Sequence, residues 1–287
     1  MKLVRYNSGR IGVLHDGSVY DATAAFGVDP AAWPPVGMVQ AIAKFDATRD
    51  SLKSLLNGPG LPLDQVDLET PILWPNKLFA YPVNYHAHKV EMNSVNRADI
   101  NGFFLKAASS LSGPKDPIVL PDLPNRSVHH ECELAVIIGK AGRFVEPAQA
   151  LDYVFGYACL IDVTVRGKEE RVMRKSYDTF CPIGPALVTA DEVGDPGALE
   201  MKLWVNDELR QHANTRDLIV DVPNMIALAS SVTTLQPGDV FATGTPGGVG
   251  PITAGDTVTI EIERVGRMSV PVVQGSGGDN LAIRRDS

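Results

Sequence analysis

The sequence is short of cysteine, lacks long apolar runs and has no cluster of basic residues. Its three cysteines, Cys132, Cys159 and Cys181, lie far apart, without the paired spacing of a structural metal site. An odd number set in apolar surroundings predicts buried, free thiols in a reducing compartment. No stretch approaches the roughly 20 apolar residues of a membrane helix. The opening MKLVRYNSGRIGVL breaks its apolar residues with Arg5, Asn7 and Arg10, which does not read as a signal peptide. The expectation is a cytoplasmic protein with no membrane partner. With 26 basic against 34 acidic residues the net charge is −8, and no patch carries a nucleic-acid footprint. The glycines of GTPGGVG are not followed by Gly-Lys-Ser/Thr, which excludes a phosphate loop.

What is present suits a soluble enzyme. The 287 residues, 44% hydrophobic and 21% charged, suffice for a large domain with a small appendage. Residues 1–56 read as a small unit with strands at 1–5 and 11–14, a hairpin signal at His15-Asp16-Gly17-Ser18, and helical spacing over 36–45 and 51–56. A connector at 57–77 holds four prolines. We therefore divide the chain into a small N-terminal α+β domain with its linker, 1–69, and a main domain, 70–287. Strand candidates outnumber helices from Lys77 onward, which predicts a β-rich α+β unit.

The chemistry gathers around VHHECELAVIIGK. Side chains alternate across a strand, so Glu131 and Glu133 share a face, and the apolar run 134–138 that follows reads as a central strand. Two carboxylates leading into a dry strand repel each other unless a cation or protons neutralise them. Magnesium favours such oxygens. The same pair also reads as two solvated acids at a strand end. FGYACLIDVT is a further strand that delivers Asp162, either a plain cap or a third carboxylate for an octahedral site. His88 and Glu91, three apart, share a helical face. A carboxylate beside an imidazole fixes its tautomer, as a water-activating base requires, although a solvated surface pair has the same spacing. Lys175 is a candidate site cation or an ordinary surface lysine. The turn with Gly244 and Thr245 lets backbone and hydroxyl groups approach a ligand.

Six segments in order resemble the fumarylacetoacetate hydrolase family. They are NYHAHKVEM, FFLKAASSLSGPKDPIVLP, HHECELAVIIGK, LDYVFGYACLIDVTVR, KSYDTFCPIGPALVT and LQPGDVFATGTPGGVG. The resemblance covers about residues 70–265, and the leading 60 or so residues resemble the small domain that many members carry. It implies a mixed β-roll catalytic domain, usually a homodimer, that binds Mg²⁺ or Mn²⁺ through Glu131, Glu133 and Asp162. It further implies a water-activating dyad of His88 and Glu91 on a lid, an active-site Lys175, and substrate contacts from Thr245, Gly244, Arg166 and Glu169. The implied activity is hydrolytic carbon–carbon cleavage of a small 1,3-diketo acid of the acylpyruvate or fumarylpyruvate kind, as in aromatic catabolism. Oxaloacetate-type decarboxylation, enol–keto isomerisation and non-catalytic ligand binding are the alternatives.

Three positions depart from the family's pattern. Val165-Arg166-Gly167-Lys168-Glu169 stands where ARDLQ is common, Ala107 where proline is usual, and Tyr81-Pro82-Val83 where Val-Gly-x leads into the lid. A substrate-facing Glu169 would add negative charge and weaken any bias towards dianions.

Overall fold

The computed structural model describes residues 1–277 apart from Ser94, Asn96 and Pro124. The last ten residues of the expected main domain, 278–287, thus lie outside the described part. Its centre is a mixed twelve-stranded sheet. Within it the strand Cys132–Ile138 is flanked by Val154–Ile161 and Val240–Ala242, both antiparallel to it. Every residue of Cys132–Ile138 is buried, as the unbroken apolar run predicts. The reason is that both faces are covered. Leu134, Val136 and Ile138 pack with the five-stranded sheet (Ile118–Leu120 with four strands between 200 and 274) and the helix Val222–Val232, whereas Ala135 and Ile137 pack with the helix Gly37–Leu55.

The leading strands join this sheet. Lys2–Tyr6 pairs antiparallel with Cys181–Thr189 and with Arg10–His15, and the hairpin at Asp16-Gly17 turns with both residues at positive φ, 45° and 73°. That is the conformation a tight two-residue hairpin demands. The two stretches of helical spacing form one helix, Gly37–Leu55. The apolar stripe lapses at exposed Asp46 and Ala47, where Thr48 takes the buried position and bonds back to Lys44 O at 2.8 Å.

Elsewhere the patterns hold closely. Asp221 caps Val222–Val232 by accepting from Asn224 N, with Pro223 in the first turn. Asn206, at φ 56°, turns the hairpin between Glu200–Val205 and Glu208–Asn214. In Thr257–Ile262 the residues Val258, Ile260 and Ile262 are buried. Thr259, expected outward, is buried as well and meets the Ser269 hydroxyl at 2.8 Å. All three cysteines are free and buried. No helix of the described residues is long and apolar enough to cross a membrane.

Candidate active site

The acidic strand is interrupted at Glu131, between Val128–His130 and Cys132–Ile138. Cys132 pairs with Ile161, and Asp162 N donates to Glu131 O at 2.9 Å. This register sets Asp162 across from the two glutamates. Carboxylate oxygens of Glu131, Glu133 and Asp162 lie within 4.8 Å of one another, and all three residues are buried.

Burial raises the carboxyl of Glu131, but Lys175 and Arg166 outweigh it and hold the group at about 2. Glu133 goes the other way. Burial, then the neighbouring Asp162, push it well above the carboxylate range, although Gly244 N donates to its Oε2 at 2.7 Å. Without a cation to neutralise the cluster, Glu133 is thus drawn towards its protonated form. Three convergent oxygen ligands, one of them held towards its protonated form until positive charge arrives, fit a hard divalent ion.

Cations brace these acids. Lys175, buried at the end of the short helix Arg171–Lys175, reaches Glu131 Oε2 at 2.7 Å and Asp162 Oδ2 at 2.6 Å. It is no surface lysine. Lys106 Nζ, fully enclosed, donates to Asp162 Oδ1 at 2.5 Å and Phe180 O at 3.1 Å. Burial is the largest influence and works against its charge, but Asp162, Cys181 and Glu133 together outweigh it and raise the lysine above its ordinary value. Arg166 Nη2 stands 3.3 Å from Glu131 Oε1.

The short helix His86–Glu91 places His88 Nδ1 3.0 Å from Glu91 Oε2. With Nδ1–H donating to that carboxylate, Nε2 is left as the basic nitrogen. Glu91 is held in turn by Gly248 N, at 3.0 Å from Oε1. One glycine-rich turn thus fastens two acids through its backbone, Glu133 at Gly244 and Glu91 at Gly248. Both glycines lie at positive φ, and a Cβ on Gly248 would meet Arg210 O at 2.1 Å. Thr245, between them, accepts from Gln211 Nε2 at 2.8 Å, which leaves its own hydrogen to donate elsewhere. Gln211 Oε1 accepts from Cys132 N at 2.9 Å and lies 3.1 Å from His130 Nδ1.

The structure brings His88, Glu131, Glu133, Asp162, Lys175 and Thr245, with Arg166, to the wall of one cavity of about 350 Å³. Glu91 stands behind His88, and Gly244 acts on Glu133 rather than lining the space. Glu169 does not face it, which corrects the expectation of a substrate-facing acid. Its two oxygens are clamped by Arg126, at 2.9 and 2.7 Å, so its charge is satisfied away from the cavity. Lys106 and Gln211 were not singled out from sequence. Each acts on partners at least 34 residues distant, beyond any local spacing rule.

His130, fully buried, has its imidazole pushed down to about 4 by burial, with Arg210 and Arg166 adding to the effect. An unfolded histidine protonates near 6.5. Between those values the unfolded chain takes up a proton that the folded one refuses, so stability falls as pH drops through that window. The thermal midpoint is expected to fall between pH 7.5 and 5. His130→Asn, which retains a donor towards Gln211, should make that fall shallower, and an equally steep decline in the variant would contradict the assignment.

The family model described as fumarylacetoacetate (FAA) hydrolase C-terminal matches residues 77–273. A maleylpyruvate hydrolase from Aquipseudomonas alcaligenes is 42% identical over 285 residues, covering 95% of this chain and 99% of its own. A mitochondrial oxaloacetate tautomerase from Xenopus laevis is 38% identical over 296 residues, covering 95% and 90%. Among solved structures, the maleylpyruvate hydrolase from Sphingobium sp. SYK-6, crystallised with manganese(II) ion and pyruvate, has a TM-score of 0.89 and 56% identity. That match covers 96% of this chain and 100% of the other.

Proposed function

The chain belongs to the fumarylacetoacetate hydrolase family, and on that premise we propose that it hydrolyses a carbon–carbon bond in a 1,3-diketo acid of the acylpyruvate class. Maleylpyruvate is the first candidate. The observation that carries this reading is the convergence, in one cavity, of three acidic ligands with an imidazole whose tautomer is fixed by Glu91.

Glu131, Glu133 and Asp162 would hold Mg²⁺ or Mn²⁺, which supplies positive charge against the carbonyl and enolate oxygens of the substrate. His88 Nε2 takes a proton from water, and the hydroxide attacks the ketone carbon remote from the pyruvoyl group. The bond between that carbon and the pyruvate methylene breaks, its electrons passing to a pyruvate enolate that then takes up a proton. Water and diketo acid give two acids in balance. Glu91 steadies the imidazolium, Lys175 presents its ammonium to developing negative charge, and the Thr245 hydroxyl donates to a substrate oxygen.

The test is turnover of maleylpyruvate in ¹⁸O-water by chelator-stripped protein reloaded with magnesium or manganese. Pyruvate should appear with maleate bearing one new ¹⁸O in a carboxylate. The tautomerase relative supports a second reading, in which the same cavity interconverts enol and keto forms. That outcome would leave the substrate's mass unchanged and shift only its ultraviolet absorbance. Release of carbon dioxide would count against both.

The leading segment, 1–69, supplies none of the cavity's lining residues. We accordingly propose that it serves the sheet, while 70–287 carries the chemistry. A homodimer in the cytoplasm is likewise proposed, the dimer being tested by light scattering.

A further inference from the structure

Charge in the cavity does not balance. Three carboxylates face four lining cations, Arg166, Arg171, Arg174 and Lys175, and Lys106 adds another from behind. Lys175, Lys106 and Arg166 are committed to Glu131 and Asp162. Arg171 and Arg174 are not. Arg174 donates from Nε to Glu169 O at 2.8 Å and from Nη1 to Val165 O at 3.3 Å, and the Arg171 guanidinium lies 5.4 Å over the Phe104 ring. Neither has a carboxylate partner among the described residues. The nearby acid that would neutralise them, Glu169, is taken by Arg126. A divalent ion on the three acids would enlarge the excess.

From this placement we propose that Arg171 and Arg174 form a subsite for a second carboxylate, at the far end of the substrate from the pyruvoyl group, so that the enzyme selects dicarboxylic diketo acids. The inference rests on the acylpyruvate reading above and adds the residues that choose among acylpyruvates. The two arginines sit one turn apart on the five-residue helix that ends in Lys175. One short element therefore presents an ammonium to the reacting centre and a guanidinium pair to the substrate's tail. An arginine fork suits a carboxylate because its parallel N–H groups match the two oxygens. The expectation of a weakened preference for dianions, drawn from Glu169, is thereby reversed.

The test compares maleylpyruvate with acetylpyruvate, which lacks the distal carboxylate, in the magnesium-loaded wild type and in Arg171→Gln. The ratio of the two kcat/KM values should favour the diacid in the wild type. It should drop about ten- to a hundredfold in the variant, the loss expected for a hydrogen bond to a charged group, and recover in part in Arg171→Lys. An unchanged ratio would overturn the subsite. Calorimetry with maleate and with cis-crotonate, its one-carboxylate counterpart, provides a second arm independent of turnover. Arg171→Gln should weaken maleate alone, and equal weakening of both acids would also overturn the proposal. If the wild type cleaves neither diketo acid, the hydrolase reading falls and the maleate arm still decides the subsite.

Discussion

Glu133→Gln is expected to abolish turnover and weaken divalent-ion binding by more than about a hundredfold, beyond the usual cost of an outer-sphere change, while the metal-free protein melts no earlier than the wild type. The two halves of this result come from one fact. Without a cation Glu133 is driven well above the carboxylate range, by burial first and Asp162 next, which favours its protonated form. Glutamine imitates that state, and its carbonyl oxygen still accepts from Gly244 N. What it cannot do is ionise when an ion arrives. Asp162→Asn should behave differently, because Lys106 and Lys175 both lean on that carboxylate. Lys175 keeps Glu131, but Lys106 is left buried without its carboxylate, at a cost of about 3–5 kcal/mol, so this variant should lose the ion and melt early. Calorimetric titration with manganese and thermal melts in chelator separate the cases. A Glu133→Gln protein that binds manganese like the wild type would overturn the assignment of the acids.

His88→Ala should lower kcat by about 10²–10⁴-fold, the range general-base help supplies, with the affinity for the divalent ion unchanged. The imidazole lines the cavity but sits on the helix His86–Glu91, a separate element from the three acids. Glu91→Gln keeps one oxygen, enough for either Nδ1–H or Gly248 N but not both, and removes the charge that steadies the imidazolium. Its loss should be intermediate. Single-turnover rates with pre-bound substrate make the comparison direct. A full rate in His88→Ala would mean that water is activated by some other group, or that the reaction consumes no water.

Much of this site was legible because its rules are local. Strand alternation put Glu131 and Glu133 on one side, and three-residue helical spacing joined His88 to Glu91. Asp162 was visible as the polar end of an apolar strand, although its place opposite Glu131 came from the register Cys132 to Ile161. What stayed hidden depends on long-range pairing. Lys106 finds Asp162 56 residues on, and Gln211 finds Cys132 79 residues back. Glu169 was misread because position suggests where a side chain stands but not which partner claims it, and Arg126 lies 43 residues before it. At the fold level the continuity of Lys2–Tyr6 with Cys181–Thr189 was equally out of reach, since nothing in either segment names the other.

The turn from Gly244 to Gly248 grips its two acids through main-chain amides alone. Those donors belong to the main chain, but both positions are confined to glycine, because each lies at positive φ and any Cβ there would run into neighbouring backbone. Distortion of the loop would disturb both the ion's ligand and the base's orienting acid together, and selection would see that as a single lesion. Inheritance is left free to experiment elsewhere around the pocket, and the short helix at its mouth, with its exposed Val172 and Met173, is where lineages acquiring new substrates would be expected to differ.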